Sequence, residues 1–177
     1  MSRCDRKVDI GRRWFLSGAG VAAAGAAAAT VVPHRAEAAA AAPLARVQYP
    51  SNRLANLSDL KPNEPLQVAY PDANAPGVLL KLGGNVPGGV GPESDVVGFT
   101  TTCPHKGFPL SYNPADKTLN CPGHYSRFDC ENGGQEIWGQ ATANLAQYQL
   151  RVDAKGDIYA EGLDELLYGR LSNVLEA

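Results

Sequence analysis

From Pro43 onward the apolar residues fall in short runs separated by turn chemistry, which is the pattern of strands rather than helices. Leu66-Gln67-Val68-Ala69-Tyr70 alternates and predicts a strand. Pro71 to Gly77 supplies Pro, Asp, Asn and Gly for a turn, and Val78-Leu79-Leu80-Lys81-Leu82 predicts the returning strand. Val96-Val97-Gly98-Phe99-Thr100 predicts a further strand that runs straight into Cys103. Leu110 to Asn120 is turn-rich and predicts a hairpin, Arg127-Phe128-Asp129 begins another strand, and Asn132-Gly133-Gly134 makes a turn. Ile137 to Ala141 reads as a loop. Tyr148 to Val152 and Asp157 to Ala160 alternate about Lys155-Gly156 and predict a closing hairpin. Residues 43 to 65 carry Pro43, Pro50, Pro62 and Pro65 and read as irregular, apart from one turn of helix at Leu57-Ser58-Asp59-Leu60. Many short strands and no internal repeat predict an all-β domain.

Two segments depart from this pattern. Gly83 to Pro92 holds five glycines and two prolines, but it lacks the Gly-Lys-Ser/Thr ending of a phosphate loop and reads as a surface loop. Near the end, Leu163, Leu166, Leu167, Leu171, Val174 and Leu175 recur at helical spacing, interrupted by Gly169. A helix on the chain's own sheet and an extension docked on a partner both fit, and the apolar, terminal character leans towards docking.

The N-terminal residues change the picture of where the protein works. Arg12-Arg13-Trp14-Phe15-Leu16 precedes an Ala/Gly-rich apolar run ending at Val32, and Ala36-Glu37-Ala38 offers a small-residue cleavage site. Adjacent arginines before such a run resemble the twin-arginine export signal, with Phe15-Leu16 placed as that pattern places them. An ordinary secretory signal and a retained membrane anchor are the alternatives. Cleavage is favoured because the run is mostly Ala and Gly. The expected organisation is a signal over residues 1–42 and one domain over residues 43–177, exported to the periplasm and free of the membrane after cleavage. Export of folded proteins suits a chain that acquires a cofactor before it leaves the cytoplasm.

The chain's net charge of -2 hides an uneven distribution. Up to Ala42 there are six basic residues (Arg3, Arg6, Lys7, Arg12, Arg13, Arg35) and three acidic (Asp5, Asp9, Glu37), so the remainder carries a net charge of -5. A nucleic-acid partner needs a basic face and is excluded. Four cysteines are present. Cys4 falls in the signal, Cys103 and Cys121 sit beside histidines, and Cys130 is left alone as a small apolar core residue, so no internal disulfide is expected.

The chemistry concentrates in Cys103-Pro104-His105-Lys106-Gly107 and Cys121-Pro122-Gly123-His124-Tyr125-Ser126, with fifteen residues between His105 and Cys121. Each loop offers one thiolate and one imidazole. Zinc also accepts two Cys and two His, but its loops usually pair like with like. Two mixed pairs suit a [2Fe–2S] cluster with two Cys on one iron and two His on the other. Neutral imidazoles in place of two thiolates make the site less negative, which raises its potential.

These loops resemble the Rieske motif. Thr102 to Gly107, Asn120 to Asp129, Gly134 to Thr142 and Asp164 to Leu171 further resemble the small subunit of arsenite oxidase. The resemblance implies a β-sandwich or barrel base with a smaller cluster-binding subdomain of hairpin loops, at about residues 99–141. It implies one Rieske-type [2Fe–2S] cluster on Cys103, His105, Cys121 and His124. It also implies a molybdopterin-containing large subunit as partner, with a cytochrome c or azurin as electron acceptor. Substrate chemistry falls to the partner, and no residue here is expected to be catalytic. The alternatives are a membrane-anchored respiratory Rieske subunit and a soluble Rieske ferredoxin serving an oxygenase.

Set against that family, Phe108 and Gly123 stand where many Rieske proteins carry a loop-bridging pair of Cys. Ser126 matches the serine that donates to a bridging sulfide, and Phe128 replaces the tyrosine of high-potential respiratory members. Gly139-Gln140-Ala141 stands for the family's Gly-Pro-Ala loop. Gly107 closes the first motif.

Overall fold

The computed structural model describes residues 48–174. The chain divides into two units, Met1–Leu44 and Ala45–Ala177, and the first lies outside the described residues together with the whole expected signal. Among the described residues no helix is long and apolar enough to cross a membrane.

Among the described residues ten strands form in chain order: β1 (Asn52–Asn56), β2 (Leu66–Ala69), β3 (Pro76–Lys81), β4 (Val96–Thr100), β5 (Ser111–Asn113), β6 (Thr118–Asn120), β7 (Arg127–Asp129), β8 (Gln135–Trp138), β9 (Tyr148–Val152) and β10 (Asp157–Leu163). Short 3-10 turns at Leu57–Asp59 and Cys130–Asn132 complete the elements. The strands make three sheets, β1-β10-β9, β2-β3-β4 and β5-β6-β7-β8, and the pairs within each are antiparallel.

The sheet β2-β3-β4 is covered on both faces. Leu79 and Val96 pack with Ala55, Leu60 and Ile158 towards the β1-β10-β9 sheet. Val78, Leu80, Val97 and Phe99 pack on the other side with Leu119, Phe128, Cys103 and Cys121. This explains why β3 and β4 read as unbroken apolar runs, since a strand buried on both faces has no solvent side to make polar. The Phe99–Gln147 bridge and the Thr100 N–H bond to the Ala146 carbonyl (3.1 Å) tie β4 to the closing hairpin.

Three expectations need correction. β1 lies in the stretch read as irregular. Its residues Asn-Arg-Leu-Ala-Asn carry little apolar signal, and the strand forms by pairing with β10 from Asn52–Ala160 to Asn56–Asp157. Ile137 and Trp138 belong to β8 rather than a loop, because Trp138 pairs with Arg127 across the ladder.

The tail makes no helix within the described residues. Leu163 and Leu167 are buried while Leu166 and Leu171 project outward. Polar clamps hold the segment instead. The Leu167 N–H donates to Asn173 Oδ1 (2.9 Å), and Asn173 Nδ2 donates to the Tyr49 hydroxyl (2.7 Å) and the Glu165 carbonyl (3.2 Å). Arg170 grips both carboxylate oxygens of Asp72 at 2.6 and 2.9 Å. The tail therefore folds on its own domain as an irregular strap.

Candidate metal centre

The first loop springs from β4, the strand with every residue buried. Past Thr101 and Thr102 the chain turns at Cys103, whose N–H donates to the Phe108 carbonyl (2.9 Å) and whose carbonyl accepts from Gly107 N–H (2.9 Å). A bridge between Thr102 and Pro109 closes the base of the loop. The second loop joins β6 to β7 and is pinned by the Cys121 N–H bond to the Ser126 carbonyl (2.8 Å). Asp116 and Asn120 both hold the Arg127 guanidinium at the foot of this loop, a role not evident from the sequence.

The four candidate ligands sort by type. Cys103 and Cys121 are 1% and 3% exposed, deep between the loops. The His105 and His124 rings lie with centroids 4.7 Å apart at 73°; His105 is half-buried and His124 exposed. Burial pushes the Cys103 thiol above its ordinary pKa, with the neighbouring Cys121 sulfur adding to the rise, while the backbone N–H groups of His105 and Lys106 pull it down. His105 Nδ1 is buried and has no hydrogen-bond partner. A buried ring nitrogen without a partner is costly unless something else occupies its lone pair, as a metal would. Cys103 lies beside Cys121, and His105 beside His124. A sulfur pair beside a nitrogen pair fits a two-iron cluster, one pair to each iron.

Ser126 is fully buried. Its Oγ accepts from the backbone N–H of Gln140 (3.0 Å) and of Ala141 (2.9 Å). A hydroxyl has two acceptor positions and one proton. With both acceptor positions used by the Gly139-Gln140-Ala141 loop, the hydroxyl proton is left free to donate elsewhere. Gly139 is required for this approach: it sits at φ 114°, and a Cβ there would lie 2.3 Å from the Ser126 Cα. Phe128 is fully buried in the core and contributes no donor.

The remaining predicted positions are packing partners of the loops. The Phe108 ring covers Gly123, where a Cβ would come within 2.8 Å of it, and meets the His124 ring edge-on at 5.8 Å. Gly107 lies under Tyr168, whose ring carbons would stand 2.8–2.9 Å from a Cβ at that position. The Tyr168 contact was not legible in the sequence as part of the site; only its place within a stretch resembling the arsenite oxidase subunit pointed to it. Cys130 is fully buried in the core, and burial raises its thiol pKa to about 12, so it is an inert packing residue.

A family model described as Rieske [2Fe-2S] domain matches residues 51–149. The chain belongs to the Rieske family. It is 40% identical over 166 residues to iodate reductase subunit IdrB of Denitromonas iodatirespirans, covering 92% of this chain and 89% of that one. To iodate reductase subunit IdrB of Pseudomonas sp. strain SCT it is 39% identical over 127 residues, 70% of this chain and 66% of the relative. The soluble domain of the Rieske protein II (soxF) from Sulfolobus acidocaldarius shares the fold, with a TM-score of 0.59 at 23% identity over 65% of this chain and 78% of that one. The all-β Rieske fold and a Rieske-type [2Fe–2S] cluster, both expected from the two loops, follow from this membership.

Proposed function

We propose that this chain is the electron-transfer subunit of an exported molybdenum oxidoreductase, that its large partner oxidises arsenite, and that Cys103, His105, Cys121 and His124 hold the Rieske cluster. A cluster of this type passes single electrons at about -150 to +300 mV, against about -400 mV for all-Cys plant-type centres. The residues around it hold, shield and tune it. The two Cys and two His would bind it, the Ser126 hydroxyl would donate a hydrogen bond to it, and the exposed His124 edge offers a short route out of the protein. The acceptor is a cytochrome c or an azurin, the compartment is the periplasm, and export follows the twin-arginine route suggested by Arg12-Arg13.

What supports a large partner at this face is the location of the stretches resembling arsenite oxidase's small subunit. Gly134 to Thr142 packs Gly139 against Ser126, and Asp164 to Leu171 lays Tyr168 on Gly107. Both stretches therefore border the cluster loops, where a redox partner must approach.

The relatives named as iodate reductase subunits favour a second reading, in which the same subunit delivers electrons to a partner that reduces iodate. The two readings reverse the direction of electron flow. Purification of the native protein from the periplasm, with an EPR spectrum of the reduced state and assays of the co-purifying subunit with arsenite and with iodate, tests both. A Rieske signal with arsenite oxidation supports the first reading, and iodate reduction alone supports the second. A chain without that EPR signal ends both.

A further inference from the structure

The strap from Asp164 to Asn173 is held by polar clamps at its ends, and its apolar side chains bury unevenly. Leu167 is inside, while Leu166 is 81% and Leu171 110% exposed. Between the strap and the end of β4 lies a cleft of about 560 Å3, lined by Asn74, Ala75, Thr100, Thr102 and the strap residues from Leu167 to Ser172. Thr102 immediately precedes Cys103, so this cleft reaches the root of the first cluster loop. Tyr168 lines the cleft and at the same time lays Cε1 and Cδ1 of its ring on Gly107. The ring stands between the cleft and the loop that carries Cys103 and His105.

We propose that Tyr168 is a positioning residue that sets the solvent access of the first cluster loop and thereby the reduction potential. The inference rests on the assignment of Cys103 and His105 as ligands. The direction follows from charge. Two ferric ions, two sulfides, two thiolates and two neutral imidazoles sum to zero, and one added electron makes the site anionic. Water stabilises the charged form over the neutral one, so a shielded loop holds the potential down and an opened loop lets it rise.

Loss of loop geometry could act in the opposite sense, by weakening hydrogen bonds to sulfur. The loop, however, is fixed without Tyr168: Cys103 N–H to the Phe108 carbonyl, Gly107 N–H to the Cys103 carbonyl, and the Thr102–Pro109 bridge are all internal to it. Removing the ring opens the loop to water while leaving its shape. The ring makes the contact and the hydroxyl takes no part in it, so Tyr168→Phe preserves the effect.

Redox titration of the full-length, cluster-loaded chain tests this, read by EPR. Tyr168→Ala raises the potential above wild type with the Rieske signal unchanged in shape, and amide exchange over residues 103–107 speeds up. Tyr168→Phe keeps the wild-type potential, as does Leu171→Ala on the same strap. Arg170→Gln, which frees the strap from Asp72, shifts the potential in the same upward direction. A Tyr168→Ala variant that titrates at or below the wild-type value overturns the proposal. Should that variant lose its cluster, Tyr168→Leu carries the same test with the same two outcomes. Absence of a Rieske signal from the wild-type chain would strike the ligand assignment instead, so the two failures are distinguishable.

Discussion

The Phe108 ring rests directly on the backbone of Gly123 and joins the two cluster loops. The contact works only because position 123 has no side chain. Gly123→Ala brings a methyl to 2.8 Å from the base of the ring, which cannot swing away as a flexible chain end would. Overpacking of this kind costs on the order of 1 kcal/mol or more. Because Phe108 is 42% exposed, the cost falls at the low end. Phe108→Ala removes the clash, so the double variant is less destabilised than the sum of the singles. Denaturant melts of the four chains, followed by cluster absorbance, give the coupling; strict additivity would show that the ring and the glycine are independent.

Ser126 carries two consequences at once. Ser126→Ala strands the buried N–H of Ala141, at about 1–3 kcal/mol for a buried donor left unpaired, and frees the part-buried N–H of Gln140 to find water. On the proposed reading it also removes a hydrogen bond to the cluster that favours the reduced state, so the potential is expected to fall. Redox titration and amide exchange at residues 139–141 read the two effects separately. With Phe128 in place of a second donor, the wild-type potential lies below that of respiratory Rieske proteins; an equal or higher value contradicts this.

The strap responds to acid through Asp72. Hydrogen bonds from Arg170 hold the Asp72 carboxyl below its ordinary pKa, with the Asn74 N–H adding to them, while partial burial opposes. A carboxyl depressed in the folded state stabilises fully above its unfolded pKa, and that contribution fades as pH falls through the folded value. Asp164 on the same strap is shifted up, chiefly by burial, and acts in the opposite sense. Comparing wild type with Asp72→Asn isolates the first group. The stability difference between the two is full at neutral pH and shrinks as pH drops below the usual carboxylate range. Proteolysis at residues 164–174 across that range measures it, and a constant difference would exclude the Arg170–Asp72 pair as the clamp.

Among the described residues, the large exposed apolar side chains are Phe108, Tyr125, Ile137, Trp138, Leu166, Tyr168 and Leu171. All seven lie in the cluster loops, at the end of β8 beside Ser126, or on the strap over Gly107. Exposed Trp and Tyr are the usual anchors of a partner surface. Trp138→Glu and Tyr125→Glu, at 67% and 72% exposure, leave folding and the Rieske signal intact. Each weakens association with the large subunit by about tenfold or more. Pull-down from periplasm with tagged variants tests this, and undiminished recovery of the large subunit would place the interface elsewhere.

The sequence made the site more legible than the framework around it. The Cys-His loops, the turns between hairpins and the strands β2 to β4 follow from local composition, since turn residues and apolar runs act over a few positions. β1 was hidden because its stability comes from β10, far along the chain, and not from its own residues. The tail misled because leucines at helical spacing also suit a strap that buries Leu163 and Leu167, and the decisive contact, Asn173 with the Leu167 N–H, has no periodic signature. Tyr168 on Gly107 is likewise a long-range contact. The pairing of Ser126 with Gln140 and Ala141 could be suspected only through the resemblance to Rieske loops.

The two cluster loops hang from supports of unequal strength. Cys103 and His105 follow β4, whose five residues are all buried, whereas Cys121 and His124 lie between β6 and β7, each only three residues long. Local opening draws on the least protected elements first. Local opening is therefore expected at the second loop before the first, and faster amide exchange over residues 121–126 than over residues 103–108 checks it. A cluster held by both loops would then be released first from its His124 side, ahead of global unfolding.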